Sequence, residues 1–323
     1  ASRFFATNLR MPELYELPFV FSGPDMDRAV LQRHEYGPEH FTAADACFIP
    51  VFGKYNLLLA DAITPMILEL ADARPLLAEA LCTVLLGNIR KRPYVAIGLP
   101  EEGVRPAGDF KFTDLRPQFG MLSHHTLALL GYARAMVHWH LQNRYCGRCG
   151  AAMCGHHAGH ELHCSRCSHV IYPQVNPAII VLVIHRDRCL LGRKPGANRY
   201  STLAGFLEPG ESLEACVCRE VFEETNIRVA DMQYRASQPW PYPSALMLGF
   251  HANAETTEIR CNDGELADAC WFTRSEIASG LASGNLAVSS PQSIAYALLR
   301  EWFDAGGDSL DRLRTGDASA QGL

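Results

Sequence analysis

Short apolar runs separated by turn-forming residues occupy the chain up to about residue 121. Four of these runs lie at 47–52, 55–60, 83–86 and 94–99, and Gly, Pro or Asp residues bound them. Such runs predict strands of a mixed or antiparallel sheet. Residues 75–80 have a pattern that we interpret as helical. No motif in this region indicates chemistry.

A longer helical pattern follows these strands. Ser123 is a candidate N-cap for a helix that ends near Asn143, and apolar residues recur along one face of it. Four histidines lie on or beside this helix, but no partner spacing recruits them to a site. We therefore interpret each as a structural histidine: His124, His125, His138 and His140.

The second half of the chain returns to strand patterns. Residues 178–184 form a continuous apolar run, and residues 189–192 follow it after a tight connection. We expect a further strand just before residue 272 and a helix over 293–303. The tail after Asp304 is rich in Gly, Asp and Ser, which favours a loose structure.

An acidic stretch at residues 205–227 combines a loop with a helix. A Pro-Gly turn signal at 209–210 precedes the helical pattern. At ~100° per residue, Glu220 and Glu224 point into the apolar sector of that helix, and Glu223 lies about 60° to one side. Carboxylates on a half-buried face repel one another unless cations neutralise them, and Mg²⁺ takes such oxygen ligands. The alternative is a solvated helix with a chance acidic run.

Two CxxC pairs frame a short segment in the middle of the chain. Fourteen residues separate the pair Cys146/Cys149 from the pair Cys164/Cys167. This spacing is typical of a tetrahedral Zn²⁺ site that is closed and therefore structural. A redox dithiol pair would require a thioredoxin-like context, which the sequence lacks. Five intervening residues could supply alternative ligands: Cys154, His156, His157, His160 and His163.

Composition and charge narrow the class of protein. The 323 residues are 48% hydrophobic and 20% charged, which is ordinary for a chain that buries real cores. The net charge of -6 argues against a general nucleic-acid-binding surface. No apolar stretch approaches ~18 residues, and the first residues lack the apolar core of a secretory signal. The remaining cysteines are scattered among apolar runs, so we expect buried thiols and a cytoplasmic protein.

Residues 237–244 alternate prolines with aromatic side chains. Three prolines interleave with Trp240 and Tyr242 and would hold them on a stiff, extended arm. Such an arm can stack a ring on a nucleobase at little entropic cost. The alternative is a proline-rich turn whose tryptophan fills the core.

The acidic stretch resembles the Nudix box. Only Asn226 departs from the box pattern, because the family has Gly there. Since Asn is the next-best residue in a left-handed conformation, this departure looks conservative. Eight of the nine specified positions match: Gly205, Glu211, Arg219, Glu220, Val221, Glu223, Glu224 and Ile227.

The proline-aromatic segment resembles the SQPWPFPxS signature of NADH pyrophosphatases, a zinc-ribbon-containing group of the Nudix superfamily. Tyr242 replaces the Phe, and Ala245 stands at the last Ser. The resemblance implies an α/β fold: a Nudix α/β/α sandwich preceded by a zinc ribbon and a smaller, mixed β-rich N-terminal domain. The expected boundaries are an N-terminal domain at 1–143, a ribbon at 144–171, a Nudix domain at 172–304 and a flexible tail at 305–323.

The resemblance also implies roles for individual residues. Glu220, Glu223 and Glu224 would be catalytic, together with Arg219 and Glu211. The expected ligands of Mg²⁺ or Mn²⁺ are the Ala204 carbonyl, Glu220, Glu223, Glu224 and Glu265, and those of Zn²⁺ are Cys146, Cys149, Cys164 and Cys167. The expected substrate contacts are Gln238, Pro239, Trp240, Pro241, Tyr242, Pro243, Ser244 and Ala245, with Tyr172, Ala295 and Arg116 as weaker matches.

The implied activity is metal-dependent hydrolysis of the pyrophosphate bond of NADH or NAD, giving (reduced) nicotinamide mononucleotide and AMP. The alternatives are removal of a 5′ NAD cap from RNA and hydrolysis of another nucleoside diphosphate derivative such as ADP-ribose. A zinc-ribbon nucleic-acid module with a decayed Nudix domain fits less well, because all the acidic box residues are present and the net charge is negative. The family habit implies a homodimer, and neither the sequence nor composition suggests a membrane partner.

Overall fold

The computed structural model describes residues 19–35, 45–262 and 264–315. These residues form two compact units. The N-terminal unit contains residues 20–176 and 239–245, and the C-terminal unit contains residues 177–238 and 246–315 together with Phe19.

The N-terminal unit is built on a five-stranded mixed sheet with strand order β3-β4-β1-β2-β5. Strands β1 and β4 are parallel and the other neighbours are antiparallel, which confirms the predicted mixed sheet. The elements are β1 (Cys47–Phe52), β2 (Tyr55–Leu59), α1 (Leu70–Ala78), β3 (Cys82–Ile89), β4 (Arg92–Leu99), β5 (Phe110–Thr113) and α2 (His124–Gln142).

Both faces of this sheet are buried, which explains why its strands are apolar at almost every position. Ile49 and Val51 of β1 pack in one core with α2, whereas Phe48 and Phe52 point to the opposite core with α1. Successive side chains of a strand alternate between faces, so a continuous apolar run serves two cores. Helix α2 begins as predicted, with the Ser123 side chain accepting from an N–H of its first turn.

A small antiparallel sheet, the ribbon, follows α2 in the same unit. It consists of β6 (Met153–His156), β7 (Glu161–Cys164) and β8 (Val170–Ile171). Leu162 of β7 is buried in the core that also receives α2. The ribbon is therefore anchored to the N-terminal sheet by apolar packing.

The C-terminal unit contains a six-stranded sheet in which β12-β13-β9-β10-β14 are neighbours and β11 pairs with β9. Its elements are β9 (Asn176–His185), β10 (Arg188–Arg193), β11 (Leu203–Phe206), α3 (Leu213–Thr225), β12 (Val229–Trp240), β13 (Ala245–Ala254), β14 (Asp268–Thr273), α4 (Arg274–Ser283), α5 (Ile294–Asp304) and α6 (Leu310–Thr315).

Strand β9 shows how this sheet is sandwiched between helices. Ile179, Val181 and Val183 pack in one core with α3, and Ile180 and Leu182 pack in the other core with α5. The strand is thus apolar throughout because both of its faces are covered. The α/β/α sandwich implied by the resemblance is confirmed.

Two sequence expectations about local structure are wrong. The stiff arm at 237–244 is not extended throughout, because β12 ends at Trp240 and residues 241–244 form a turn into β13. The predicted start of the loose tail, residue 305, is too early in the chain: Leu310 is fully buried, and the Tyr296 hydroxyl donates to Asp311 over 2.6 Å. Residues 316–323 lie outside the described part. Among the described residues, no helix is long and apolar enough to cross a membrane.

Helix α3 has well-defined ends that fix the register of its acidic face. The Ser212 hydroxyl accepts from the Ala215 N–H over 3.1 Å at the N-terminus. At the C-terminus Asn226 is left-handed, with φ 63°, and its N–H donates to the Phe222 carbonyl over 2.7 Å. Asn226 therefore adopts the left-handed conformation that the family's Gly supplies at this position, as the box pattern predicts.

The conformation of Asn226 gives a stability prediction. Asn226→Ala should lower the free energy of unfolding by about 1 kcal/mol, because a Cβ without a polar group is strained in the left-handed region. Asn226→Gly should change it by only a few tenths of a kcal/mol. Urea denaturation followed by circular dichroism measures both; an Ala variant as stable as the Gly variant would contradict the assignment.

Candidate functional site

Arg219 on α3 is the hub of the acidic cluster. Its Nε and Nη2 donate to the two carboxylate oxygens of Glu211 over 2.6 and 2.8 Å. Its Nη1 donates to Glu220 over 2.9 Å and to Glu223 over 3.0 Å. Nη2 also donates to the Phe206 carbonyl at the end of β11 over 2.9 Å. A single guanidinium thus ties the box loop, helix α3 and strand β11 together.

Both carboxylate oxygens of Glu211 accept hydrogen bonds from Arg219. The Arg219 guanidinium, helped by the Glu208 N–H, lowers the pKa of Glu211 from its ordinary 4.5 to about 2. Fork-to-fork pairing of this kind is strong and geometrically specific. The predicted catalytic residue Glu211 therefore occupies the position of an orienting residue for Arg219.

The three helix carboxylates differ in their access to solvent. Glu224 is 1% exposed, whereas the side chain of Glu220 is 15% exposed and that of Glu223 is 50% exposed. This gradient follows from their angular positions on the helix, since Glu224 shares the sector of the buried Val217. The sequence prediction of a half-buried acidic face is confirmed.

Glu220 lies directly against β11. A Cβ built at Gly205 would stand 1.8 Å from the Glu220 carboxyl carbon and within 2.1 Å of both its oxygens. Only glycine permits this approach, which places the carboxylate one residue from the predicted ligand Ala204. Burial raises the pKa of Glu220, nearby Glu223 and Glu265 raise it further, and Arg219 opposes them.

The arrangement fits a hard divalent cation. Glu223 and Glu265 are close enough to Glu220 to raise the pKa of Glu220, and carboxylate oxygens are the ligands that Mg²⁺ and Mn²⁺ prefer. A cation would stabilise the buried, charged form of Glu220 and offset the repulsion from Glu223 and Glu265, the two causes that raise its pKa. The glycine at 205 leaves the space in which Glu220 sits.

The four ribbon cysteines form a second candidate metal site. Their Sγ atoms all lie within 4.8 Å of one another, and Cys149 is 3.4 Å from Cys164 and 3.7 Å from Cys167. The Arg166 and Cys167 N–H groups donate to Cys164 and lower its pKa to about 6. Thiolates at this spacing are the ligands of a tetrahedral Zn²⁺ site.

The alternative ligands from the intervening segment stay outside this cluster. In the described part of the chain, the four cysteines form the one group of candidate ligands that meets the 4.8 Å spacing. His160 instead bonds the Leu85 carbonyl over 2.8 Å, and His140 of α2 bonds the Gly159 carbonyl over 2.7 Å. The interpretation of His140 as a structural histidine is confirmed.

The aromatic residues Trp240 and Tyr242 of the 237–244 segment belong to the N-terminal unit and pack within it. Trp240 makes edge contacts with Phe21 and Phe119 at centroid distances of 5.9 and 5.8 Å, and Tyr242 lies 5.9 Å from Phe21. Both rings are only partly buried. The core-filling alternative therefore describes the packing of both rings, which contact the apolar core of the N-terminal unit and stay partly exposed.

Two arginines flank the Tyr242 ring. Arg116, which pairs with Asp114, lies 4.9 Å from the ring centroid, and Arg134 lies 4.4 Å from it. The structure thus brings two predicted substrate contacts together, Arg116 and Tyr242. Arg134 was not among the predicted site residues; it is 7% exposed and donates to the Lys54 carbonyl over 2.9 Å and to the Pro241 carbonyl. Its place four residues after Leu130, on the apolar face of α2, was the available signal.

The other predicted substrate contacts have varied surroundings. Gln238 is 1% exposed; its amide nitrogen donates to the Gln292 carbonyl over 3.1 Å and its oxygen accepts from the Ile294 N–H over 2.8 Å. Ala295 is buried beside Ile294, whereas Tyr172 is 59% exposed. Pro239 and Ser244 are partly buried, Pro241 and Ala245 are buried, and Pro243 is exposed.

The Glu211 pKa predicts a pH dependence of stability. Because the folded-state pKa, about 2, is below the ordinary 4.5, this group contributes stability above pH 4.5 that is lost as the pH falls towards 2. Glu211→Gln should remove this part of the dependence. Thermal melts from pH 6 to 2, with no divalent ion added, measure it; parallel wild-type and variant curves would contradict the assignment.

Comparisons with known proteins agree with this geometry. The NUDIX domain matches residues 174–292, and the NADH pyrophosphatase-like rudimentary NUDIX domain matches residues 46–139. Nudix hydrolase 19, chloroplastic, of Arabidopsis thaliana is 46% identical over 167 residues, which are 48% of this chain and 38% of that protein.

In two bacterial relatives, the match to this chain covers a larger share of the relative. The NAD-capped RNA hydrolase NudC of Pseudomonas fluorescens (strain Pf0-1) is 43% identical over 205 residues, which are 62% of this chain and 73% of the relative. The protein of the same name from Deinococcus radiodurans is 38% identical over 241 residues, which are 73% of this chain and 82% of the relative. The chain therefore belongs to the Nudix hydrolase family, in the NADH pyrophosphatase group that carries an NADH pyrophosphatase-like domain before its Nudix domain.

Proposed function

We propose that this protein hydrolyses the pyrophosphate bond of NADH or NAD, releasing (reduced) nicotinamide mononucleotide and AMP. The observation that carries the proposal is the set of carboxylates held by Arg219 beside Gly205. A dinucleotide diphosphate carries negative charge that such carboxylates alone would repel. The site therefore requires a divalent cation between the two.

The ligands of that cation, Mg²⁺ or Mn²⁺, would be the Ala204 carbonyl, Glu220, Glu223, Glu224 and Glu265. When bound, the ion supplies charge neutralisation of the diphosphate and activation of water near neutral pH. Glu223 would act either as one of these ligands or as the base that takes a proton from water, and its half-exposed carboxylate supports the second role. Arg219 holds Glu220 and Glu223 in position before substrate arrives.

The aromatic hairpin is the proposed recognition element for the dinucleotide. The Tyr242 ring is fixed by Arg134, and Arg116 lies above it at 4.9 Å. A ring with restricted motion can stack on a base with little ordering cost. Arg116 lies beside the same ring, and a guanidinium can pair with a phosphate of the dinucleotide.

The second candidate substrate is RNA with a 5′ NAD cap. Two relatives that carry the name NAD-capped RNA hydrolase NudC favour it. The reacting diphosphate is the same in free NAD and in the cap, so one set of carboxylates serves both. We further propose structural Zn²⁺ on the four cysteines and a cytoplasmic homodimer. None of the twelve cysteines, all of which lie in the described ranges, forms a disulfide, which supports a reducing compartment.

Product analysis tests the proposed reaction. Purified protein incubated with NADH and Mn²⁺ should give reduced nicotinamide mononucleotide and AMP in equal amounts by chromatography. Rates on NAD-capped RNA and ADP-ribose, measured side by side, rank the substrates. Turnover of ADP-ribose alone would overturn the assignment to NADH or NAD.

Substitution of the cluster separates catalysis from folding. Glu223→Gln and Glu224→Gln should each lower kcat for NADH by at least about 100-fold, because each removes a charge that holds the cation. The thermal midpoint should stay nearly unchanged. Glu214→Gln, at an exposed position on the same helix, is the matched control. Parallel losses of rate and thermal stability would indicate a purely structural cluster.

Gln238 is proposed as a positioning residue for the start of α5. Gln238→Leu removes the bonds to Gln292 and Ile294 and should raise KM for NADH about tenfold, because a buried bond contributes roughly 1–3 kcal/mol. Gln238→Glu keeps the acceptor for the Ile294 N–H but loses the donor to the Gln292 carbonyl and buries a charge, so it should not restore KM. Gln233→Leu, at an exposed position of β12, is the control. An unchanged KM in Gln238→Leu would exclude the role.

A further inference from the structure

One face of the ribbon hairpin carries Cys, His and Glu side chains, the residue types that bind Zn²⁺, although their ligand atoms are not all within 4.8 Å of one another. In the β6–β7 register, Cys154 is opposite His163 and His156 is opposite Glu161. These two pairs are two residues apart on each strand, so all four side chains lie on the same face of the hairpin. Facing Cβ atoms of an antiparallel pair are ~4.5–5.5 Å apart, which is within reach of a shared ligand.

Three of these side chains already contact one another. The His156 and His163 rings are stacked, with centroids 4.1 Å apart and planes 21° apart. His163 Nε2 lies 2.8 Å from a Glu161 oxygen, and His157 Nδ1 lies 3.4 Å from the other oxygen. The carboxylate thus gathers two imidazoles at the end of the hairpin.

This face is open to solvent and separate from the four-cysteine cluster. Cys154 and His156 are exposed, and the His163 side chain is 35% exposed. The intervening pair, Gly155 and Leu162, faces the opposite way, and Leu162 is buried. Cys164 follows His163 directly in β7, so its thiol points to the other face, where the four-cysteine cluster lies.

We propose that this face is a second Zn²⁺ site with Cys154, His156, His163 and Glu161 as its ligands. A thiolate, two imidazoles and a carboxylate are a donor set for tetrahedral Zn²⁺. Binding rotates the Cys154 and histidine side chains towards one centre, and Glu161 exchanges its contact with His163 for the ion. The exposure of the ligands makes this zinc exchangeable, unlike an ion enclosed by the four cysteines. This site is independent of the proposed hydrolytic function.

Cobalt titration tests the proposal. Protein whose four-cysteine cluster is saturated with Zn²⁺ is titrated with Co²⁺, and sulfur-to-cobalt charge-transfer absorption reports thiolate ligation only. One additional equivalent of Co²⁺ should produce this absorption while metal analysis shows the first zinc retained. Binding at the Nudix carboxylates does not interfere, because no thiolate ligates there.

Variants distinguish this site from other thiols. Cys154→Ser should abolish the charge-transfer absorption, and His163→Gln should weaken Co²⁺ binding by at least about tenfold. Cys261→Ser, at an exposed cysteine of the C-terminal unit, is the matched control and should leave the absorption unchanged. Zinc content of the variants confirms that the ribbon is folded. Absorption that persists in Cys154→Ser, or no second equivalent in the wild type, would overturn the proposal.

Discussion

The repulsion among carboxylates on one helix face is the constraint that organises the C-terminal unit. Arg219 offsets part of it by donating to Glu211, Glu220 and Glu223 at once. Because the same guanidinium also bonds the Phe206 carbonyl, it fixes helix α3 to strand β11. The unbalanced negative charge that remains is what a divalent cation can neutralise. The cluster therefore joins helix α3 to strand β11 and is the proposed cation site.

Close packing of backbone and side chain gives this cluster its precision. Glu220 lies where a Cβ of residue 205 would otherwise be, so the glycine of the box is a steric requirement. Asn226 in the left-handed conformation ends helix α3 one residue after Thr225. These two backbone features hold the acidic positions in register with β11. Because the acidic side chains are already held in place, they need to move little when a substrate binds.

Sequence periodicity predicted the elements whose pattern is local. Strand β9 is predictable because burial of both its faces makes it a continuous apolar run. Helix α2 and the acidic face of α3 are predictable because their residues recur at the helical period. Strand β5 was missed because four residues, FKFT, at a sheet edge show almost no pattern. Helix α4 was missed although Thr273 and Glu276 form a capping box, which is readable from sequence. The burial of Arg134 follows from its place on the apolar face of α2, but its bond to the distant Pro241 carbonyl leaves no pattern in the sequence.

The central claim is that backbone space at residue 205 and the charges on α3 together form a cation site. Mn²⁺ binding followed by electron paramagnetic resonance tests it in the wild type, in Gly205→Ala and in Gly147→Ala, where a Cβ meets nothing within 4 Å. We predict that Gly205→Ala binds Mn²⁺ at least about tenfold more weakly, since Glu220 must move, and that Gly147→Ala binds it as the wild type does. Wild-type Mn²⁺ affinity in a folded Gly205→Ala variant would contradict the claim.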